Sequence, residues 1–198
     1  MHVPSGRRRP SAGDGVGASL GDVTGTRASP GKAIPMTFQL SALTALPIRW
    51  EVAGTVDAPA DAVADLLLAV KPGRVGDDNL LVLAGMSAAR RGAMTVLAGD
   101  LTGSYRAVVA GTDAQADIAV DPALPALAVQ SWYGGVHTVA SAGDGTSLVS
   151  HRVHSVQMPP PGDMASRLWS GLERVLRVIG DRLSRPVGNP MIVRTTSD

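Results

Sequence analysis

Three of the four histidines of this chain fall between residues 137 and 154: His137, His151 and His154. Imidazole is the side chain that titrates near neutral pH and is also a common metal ligand, so this is where chemistry would be sought first. His137 lies in "GVHTVAS" and His151 in "TSLVSHRVHSV", two strand-like runs joined by "AGDGT". As a three-residue loop, "AGDGT" makes a type I turn at Gly143–Asp144 with Gly145 left-handed in a G1 bulge. Ala142 then pairs with Thr146, which sets His137 opposite His151 and Val139 opposite Val149. A two-residue turn at Asp144–Gly145 would slip the register by one and bring Arg152 across from His137. The first register is preferred. Val139, Val149 and Val153 share its histidine face, which is therefore expected to be the concave one, while Ser150, Arg152 and His154 point away.

Two facing imidazoles suit a general acid or base, so His137 and His151 are the catalytic candidates. The plainer reading is that they are hydrogen-bonded members of a mixed polar wall. A metal site needs a third ligand, and no Asp, Glu or His in this stretch shares their face, so no metal is expected. His151 and His154 are three apart on a strand and point to opposite faces. Tyr105, Trp132 and Tyr133 are the remaining polar aromatics. In "SWYGG", neighbours on a strand face opposite sides, so at most one of Trp132 and Tyr133 should reach a cavity. Nothing resembles a nucleotide loop or a serine nucleophile elbow: "GDGVG" lacks the flanking strand and helix, and "GASLG" (17–21), which has the G-x-S-x-G spacing, lies in the same Gly-rich stretch and does not form the elbow. No cofactor is implied.

The elements that must position these side chains are legible in the periodicity. "IRWEVAGTV" (48–56) alternates like a half-buried strand, and "DAPADAVADLLLAV" repeats apolar residues at helical spacing from Pro59 onward. A second short helix is expected around Leu80 to Ala89. Strand-like runs follow at 93–99, 103–111, 116–120, 126–133, 135–141 and 146–156, so closely spaced that an antiparallel meander is expected. "MASRLWSGLERVLRVIGDRL" (164–183) then places Met164, Leu168, Trp169, Leu172, Val175, Leu176, Ile179 and Leu183 on one stripe, with Asp163 as N-cap and Pro186 as stop. Gly171 and Gly180 within it either make room for a ligand or allow close contact with the sheet.

The composition bounds the rest. In 198 residues, 44% are apolar but only 3% aromatic, so the core is built from Val, Leu, Ala and Met. A net charge of +1 gathers neither nucleic acid nor an anionic membrane. The absence of cysteine excludes disulfides, thiolate metal sites and a cysteine nucleophile. No apolar run approaches the roughly 20 residues of a membrane span, and a cytoplasmic location is expected. The first 35 residues, rich in Gly, Ser, Pro and Ala, cannot offset their chain entropy and are expected to be disordered. "RRR" at 7–9 is not followed by the apolar stretch of an export signal. Met36, where the apolar pattern begins, is an expected alternative start. The expected organisation is an extension over 1–46, one domain over 47–186 and a tail over 187–198.

Strand, short helix with "DAPADAV", meander, then one long helix: this order resembles the START-like (SRPBCC) superfamily, and within it the bacterial polyketide cyclase/dehydrase-like branch. The local matches are "VAGTVDAPADAVADLL" (52–67), "DGTSLVSHRVHSV" (144–156) and "LWSGLERVLRVIGDRL" (168–183). Ala64 departs from the pattern, since many relatives carry tryptophan there. The resemblance implies an α+β helix-grip fold, a curved antiparallel sheet wrapped around the C-terminal helix with an apolar cavity between them. The partner it implies is a small hydrophobic or amphipathic molecule. Tyr105, Trp132, His137, Val149 and His151 from the sheet, and Leu168, Leu172 and Leu176 from the helix, would contact it. It does not imply one reaction, because the superfamily shares no catalytic residue. A cyclase or dehydratase, a non-catalytic carrier or sensor, and an interaction module of the co-chaperone or carbon monoxide dehydrogenase accessory type all remain open.

Overall fold

The computed structural model describes residues 39–76, 79, 93–157 and 163–195. The expected disordered segment and the expected helix at 80–89 lie outside these. The elements are α1 (Leu40–Thr44), β1 (Trp50–Val56), α2 (Ala60–Leu67), β2 (Gly73–Arg74), β3 (Met94–Ala98), β4 (Ser104–Val109), β5 (Gln115–Asp121), β6 (Ala126–Gln130), β7 (Tyr133–Gly143), β8 (Thr146–Val156), α3 (Met164–Leu183) and β9 (Met191–Thr195). The strands form one sheet in the order β2-β3-β4-β5-β6-β7-β8-β1-β9, antiparallel at every pairing. Consecutive hairpins build β3 to β8, and β2 pairs with β3 at the edge. The first long strand then closes onto the last, with Val52 opposite His151.

The helix α3 covers only part of this ribbon. Its stripe of Met164, Leu168, Leu172, Val175, Leu176 and Ile179 packs with Val52 and Val56 of β1, Val139, Val149 and Val153 of β7 and β8, and Val63 and Leu67 of α2. Burial of six such side chains contributes roughly 10 kcal/mol gross as an upper bound. Gly54 of β1 permits the approach, because a Cβ there would collide with Leu176. The other half of the ribbon has its own cluster, Val96, Ala107, Val109, Ile118 and Leu127 with Val70 and Val75. Asp163 caps α3 by accepting from the N–H groups of Ala165 (3.2 Å) and Ser166 (2.9 Å). Ser184 ends it in the left-handed conformation (φ 53°).

Two ordered elements fall outside the expected 47–186 bounds. Leu43 of α1 is buried against Ala119, Ala126, Ala128 and Val136 on the outer face of the sheet, where small side chains leave a seat for it. Strand β9 pairs with β1 and is tied to α3 where Trp169 Nε1 donates to the Pro190 carbonyl (2.7 Å). Neither was visible as periodicity. One buried leucine per five-residue helix is too sparse a signal, and β9 is exposed along its whole length.

The β7–β8 hairpin keeps the expected register by a different route. Gly143, Asp144 and Gly145 all have positive φ (93°, 49° and 75°), and Gly143 pairs with Thr146. Positive φ at both Asp144 and Gly145 makes a two-residue type I′ turn instead of the expected type I turn with a G1 bulge. The one-residue slip that turn would cause is cancelled by Ala142, which bulges out between Ser141 and Gly143. His137 therefore still faces His151, and Val139 still faces Val149.

Candidate functional site

Between the two apolar clusters, under the near side of α3, lies a cavity of about 610 Å³. Leu127, His137, His151 and Val52 form one row across four neighbouring strands. Leu127 belongs to one cluster and Val52 to the other, so the two imidazoles sit at the boundary. Their rings stack with centroids 3.9 Å apart and planes at 18°. Tyr133 follows, 5.8 Å from His151, and Trp132 lies 4.7 Å from Tyr133, giving a continuous aromatic wall. Gly135 makes the wall possible: a Cβ there would lie 2.7 Å from the Tyr133 ring and 2.8 Å from His151 Nε2.

The site is apolar with a few convergent polar atoms. Met94, Ala107, Ile118, Leu127 and Val129 floor it, and Met164, Leu168 and Val175 of α3 close it. His137 Nδ1 and His151 Nε2 are buried and have no hydrogen-bond partner. Burial lowers both imidazole pKa values, that of His151 to about 4 and that of His137 well below its usual value, where proximity to His151 adds to the effect. Burial also pushes the Tyr133 phenol up to about 12. Around neutral pH the wall is thus uncharged, with each imidazole offering one N–H donor and one lone pair. Two unmet polar atoms beside an apolar hollow are what a ligand with its own donors and acceptors would satisfy.

The expected site residues divide. Trp132, His137, His151 and Leu168 line the cavity. Val149, Leu172 and Leu176 lie in the packed core beneath α3 and do not reach it. Tyr105 is also absent from its lining; it packs against the Val96–Leu127 cluster and borders a second, wider depression of about 1100 Å³ that reaches α1. The exposed side chains of Leu46, Leu101 and Leu124 bound that depression. His154 lies there too, its Nδ1–H donating to the Leu46 carbonyl (2.8 Å), and Arg152 pairs with Glu51 (2.7 Å). The expectation that Trp132 and Tyr133 face opposite sides is corrected. Strand β6 stops at Gln130 and β7 starts at Tyr133, so Trp132 sits in the turn, where alternation does not apply, and both rings line the cavity.

The glycines of α3 also separate. A Cβ at Gly180 would meet Val187 (2.7 Å) and the Arg185 carbonyl (2.9 Å), so that glycine serves close packing. At Gly171, on the cavity wall, a Cβ would meet nothing within 4 Å. A helix-interior glycine costs about 1 kcal/mol against alanine. With no neighbour to make room for, Gly171 leaves the cavity open. Sequence reasoning had these two residues as equivalent, because what they face depends on partners far along the chain. Among the described residues no group of three or more His, Cys, Asp or Glu could hold a metal.

The element order, the sheet that ends by folding β1 between β8 and β9, and the long helix held against its concave face together decide the fold. This is a helix-grip α+β fold. No protein-family model matches the sequence, and comparison with curated proteins finds no match. Solved structures with a similar arrangement include an HSP90 activator from Plasmodium falciparum (11% identity, TM-score 0.45, 71% of this chain and 99% of that one). An aromatase/cyclase from Streptomyces sp. R1128 is 19% identical with a TM-score of 0.34, over 70% of this chain and 87% of that one. A START superfamily protein from Mycobacterium smegmatis is 13% identical with a TM-score of 0.35, over 68% and 97%. Likenesses this distant stop at the fold, and the function of this helix-grip chain has to be argued from its own cavity.

Proposed function

We propose that the protein binds a small, largely apolar molecule in the cavity between its sheet and α3. The observation that carries this is the hollow itself. At about 610 Å³ it falls in the size range of small-molecule sites, and its wall is apolar apart from a few convergent polar groups. An interaction module would have no use for such a space, and nothing in the packing requires it.

Gly171→Leu provides the test. The added side chain enters empty space and the substitution improves helix propensity, so stability should hold or rise by up to about 1 kcal/mol. Binding should be lost. Native mass spectrometry of the purified protein is expected to show a retained ligand that the variant lacks. A ligand-free wild type that also fails to respond to a panel of apolar compounds in thermal shift would remove the proposal.

A second reading, a cyclase or dehydratase of the polyketide type, is favoured by the stacked pair of neutral imidazoles facing the hollow. A neutral histidine can take a proton from an acidic carbon and return it to a departing hydroxyl, the two transfers such condensations need. The variant His137→Gln/His151→Gln should then lose turnover by 10²-fold or more while its ligand affinity changes little. Unchanged turnover would leave a carrier or sensor as the function.

A further inference from the structure

We propose that the depression beside α1 is a second binding site, distinct from the cavity, for a neutral apolar alcohol whose hydroxyl donates to His154 Nε2. The depression measures about 1100 Å³. Much of its floor is the face of β5 to β8 turned away from α3: Ala119, Ala126, Val136, Thr138, Arg152 and His154 line it. Their neighbours Ile118, Leu127, His137 and Val153 face inward. A sheet face that meets water is ordinarily polar, whereas this one is built largely from small apolar residues. The short α1 covers part of it through Leu43. Around the rest stand Leu46 after α1, Leu101 in the β3–β4 turn and Leu124 in the β5–β6 turn, 44%, 50% and 64% exposed. Three exposed leucines brought from separate turns to one hollow mark a binding surface, which leucines scattered singly would not.

His154 sets the chemistry of the occupant. Its Nδ1–H donates to the Leu46 carbonyl (2.8 Å), which can only accept, so in the uncharged ring Nε2 carries the lone pair. That nitrogen is buried without a hydrogen-bond partner, in a residue only 6% exposed. An occupant that satisfies it must bring a donor, and an ether or carbonyl oxygen alone cannot. Among the described residues that line the depression, the charged ones are Arg152 and Asp121, opposite in sign and both engaged. Arg152 pairs with Glu51 (2.7 Å), and Asp121 accepts from the Ala123 N–H (2.9 Å). This pairing favours neither an anion nor a cation. A neutral hydroxyl on an apolar body matches both the leucine rim and the unmet lone pair.

Two isomers test this on the full chain: n-octanol, and heptyl methyl ether, which has the same atoms but no donor. Nuclear magnetic resonance of protein labelled at the histidine ring nitrogens reports each imidazole separately. His154→Asn, whose amide can keep the donor to Leu46, identifies the His154 signals by their loss. Octanol should shift the His154 Nε2 resonance and, read at that signal, bind about fivefold or more tightly than the ether. Leu101→Gln/Leu124→Gln should weaken octanol by a similar factor. Both positions are exposed, and a thermal melt confirms that the variant folds. An unmoved His154 signal, equal binding of the two isomers, or undiminished octanol binding in the rim variant overturns the inference. A shift confined to His137 and His151 overturns it too, because the alcohol would then sit in the cavity, and the cavity reading would stand.

Discussion

At the residue scale the molecule turns on two imidazoles that folding holds uncharged. Their pKa values are lower in the folded chain than in the unfolded one, so on acidification the unfolded state takes up protons first. Stability from this source is complete above about pH 6.5 and drains as pH falls toward 4, the value for folded His151. For that one histidine the loss is on the order of 3 kcal/mol. Urea unfolding at several pH values should show the midpoint falling across this window, and His137→Gln/His151→Gln should flatten the dependence. Gly135 supports the same pair by leaving room for Tyr133 and His151 Nε2. Gly135→Ala should cost about 1–3 kcal/mol in the same assay through overpacking, with weakened ligand binding because the aromatic wall must shift.

Elements place those residues, and they do so through details that pattern alone leaves ambiguous. The register that sets His137 against His151 is the product of a type I′ turn and a compensating bulge at Ala142, two features that sequence reasoning merged into one longer loop. Either alone would carry every side chain of β7 to the opposite face. The helix that closes the cavity ends on Ser184, held at φ 53°, a conformation that costs a residue with a Cβ and suits glycine. Ser184→Gly should therefore raise stability by about 0.5–1 kcal/mol in equilibrium unfolding, with no change in ligand binding. An unchanged or lowered midpoint would show that Ser184 makes a contact worth more than the strain.

At the largest scale, the decisive feature is that the ribbon formed by the nine strands among the described residues is longer than one helix can cover. The long helix α3 seals the half formed by β1, β7 and β8, a second cluster seals the half from β3 to β6, and the hollow is what remains between them. A ligand filling it would couple both halves. At a free concentration one hundred times its Kd, it should add about 2.7 kcal/mol to stability, read as a rise of several degrees in the unfolding midpoint. Burial of the apolar wall should give calorimetric binding a negative heat-capacity change.

Much of this architecture was legible because it rests on local regularities. Period-two runs marked the strands, the Leu-Val stripe with its Asp163 cap marked the last helix, and paired valines indicated which face of β7 and β8 meets that helix. These are nearest-neighbour effects of chain geometry and hydrophobicity, and they survive without knowledge of partners. The position of the void, the different tasks of Gly171 and Gly180, the shared face of Trp132 and Tyr133, and the seats of α1 and β9 were settled only in three dimensions. Each depends on what distant segments leave unfilled, and an empty space has no residues of its own to be read.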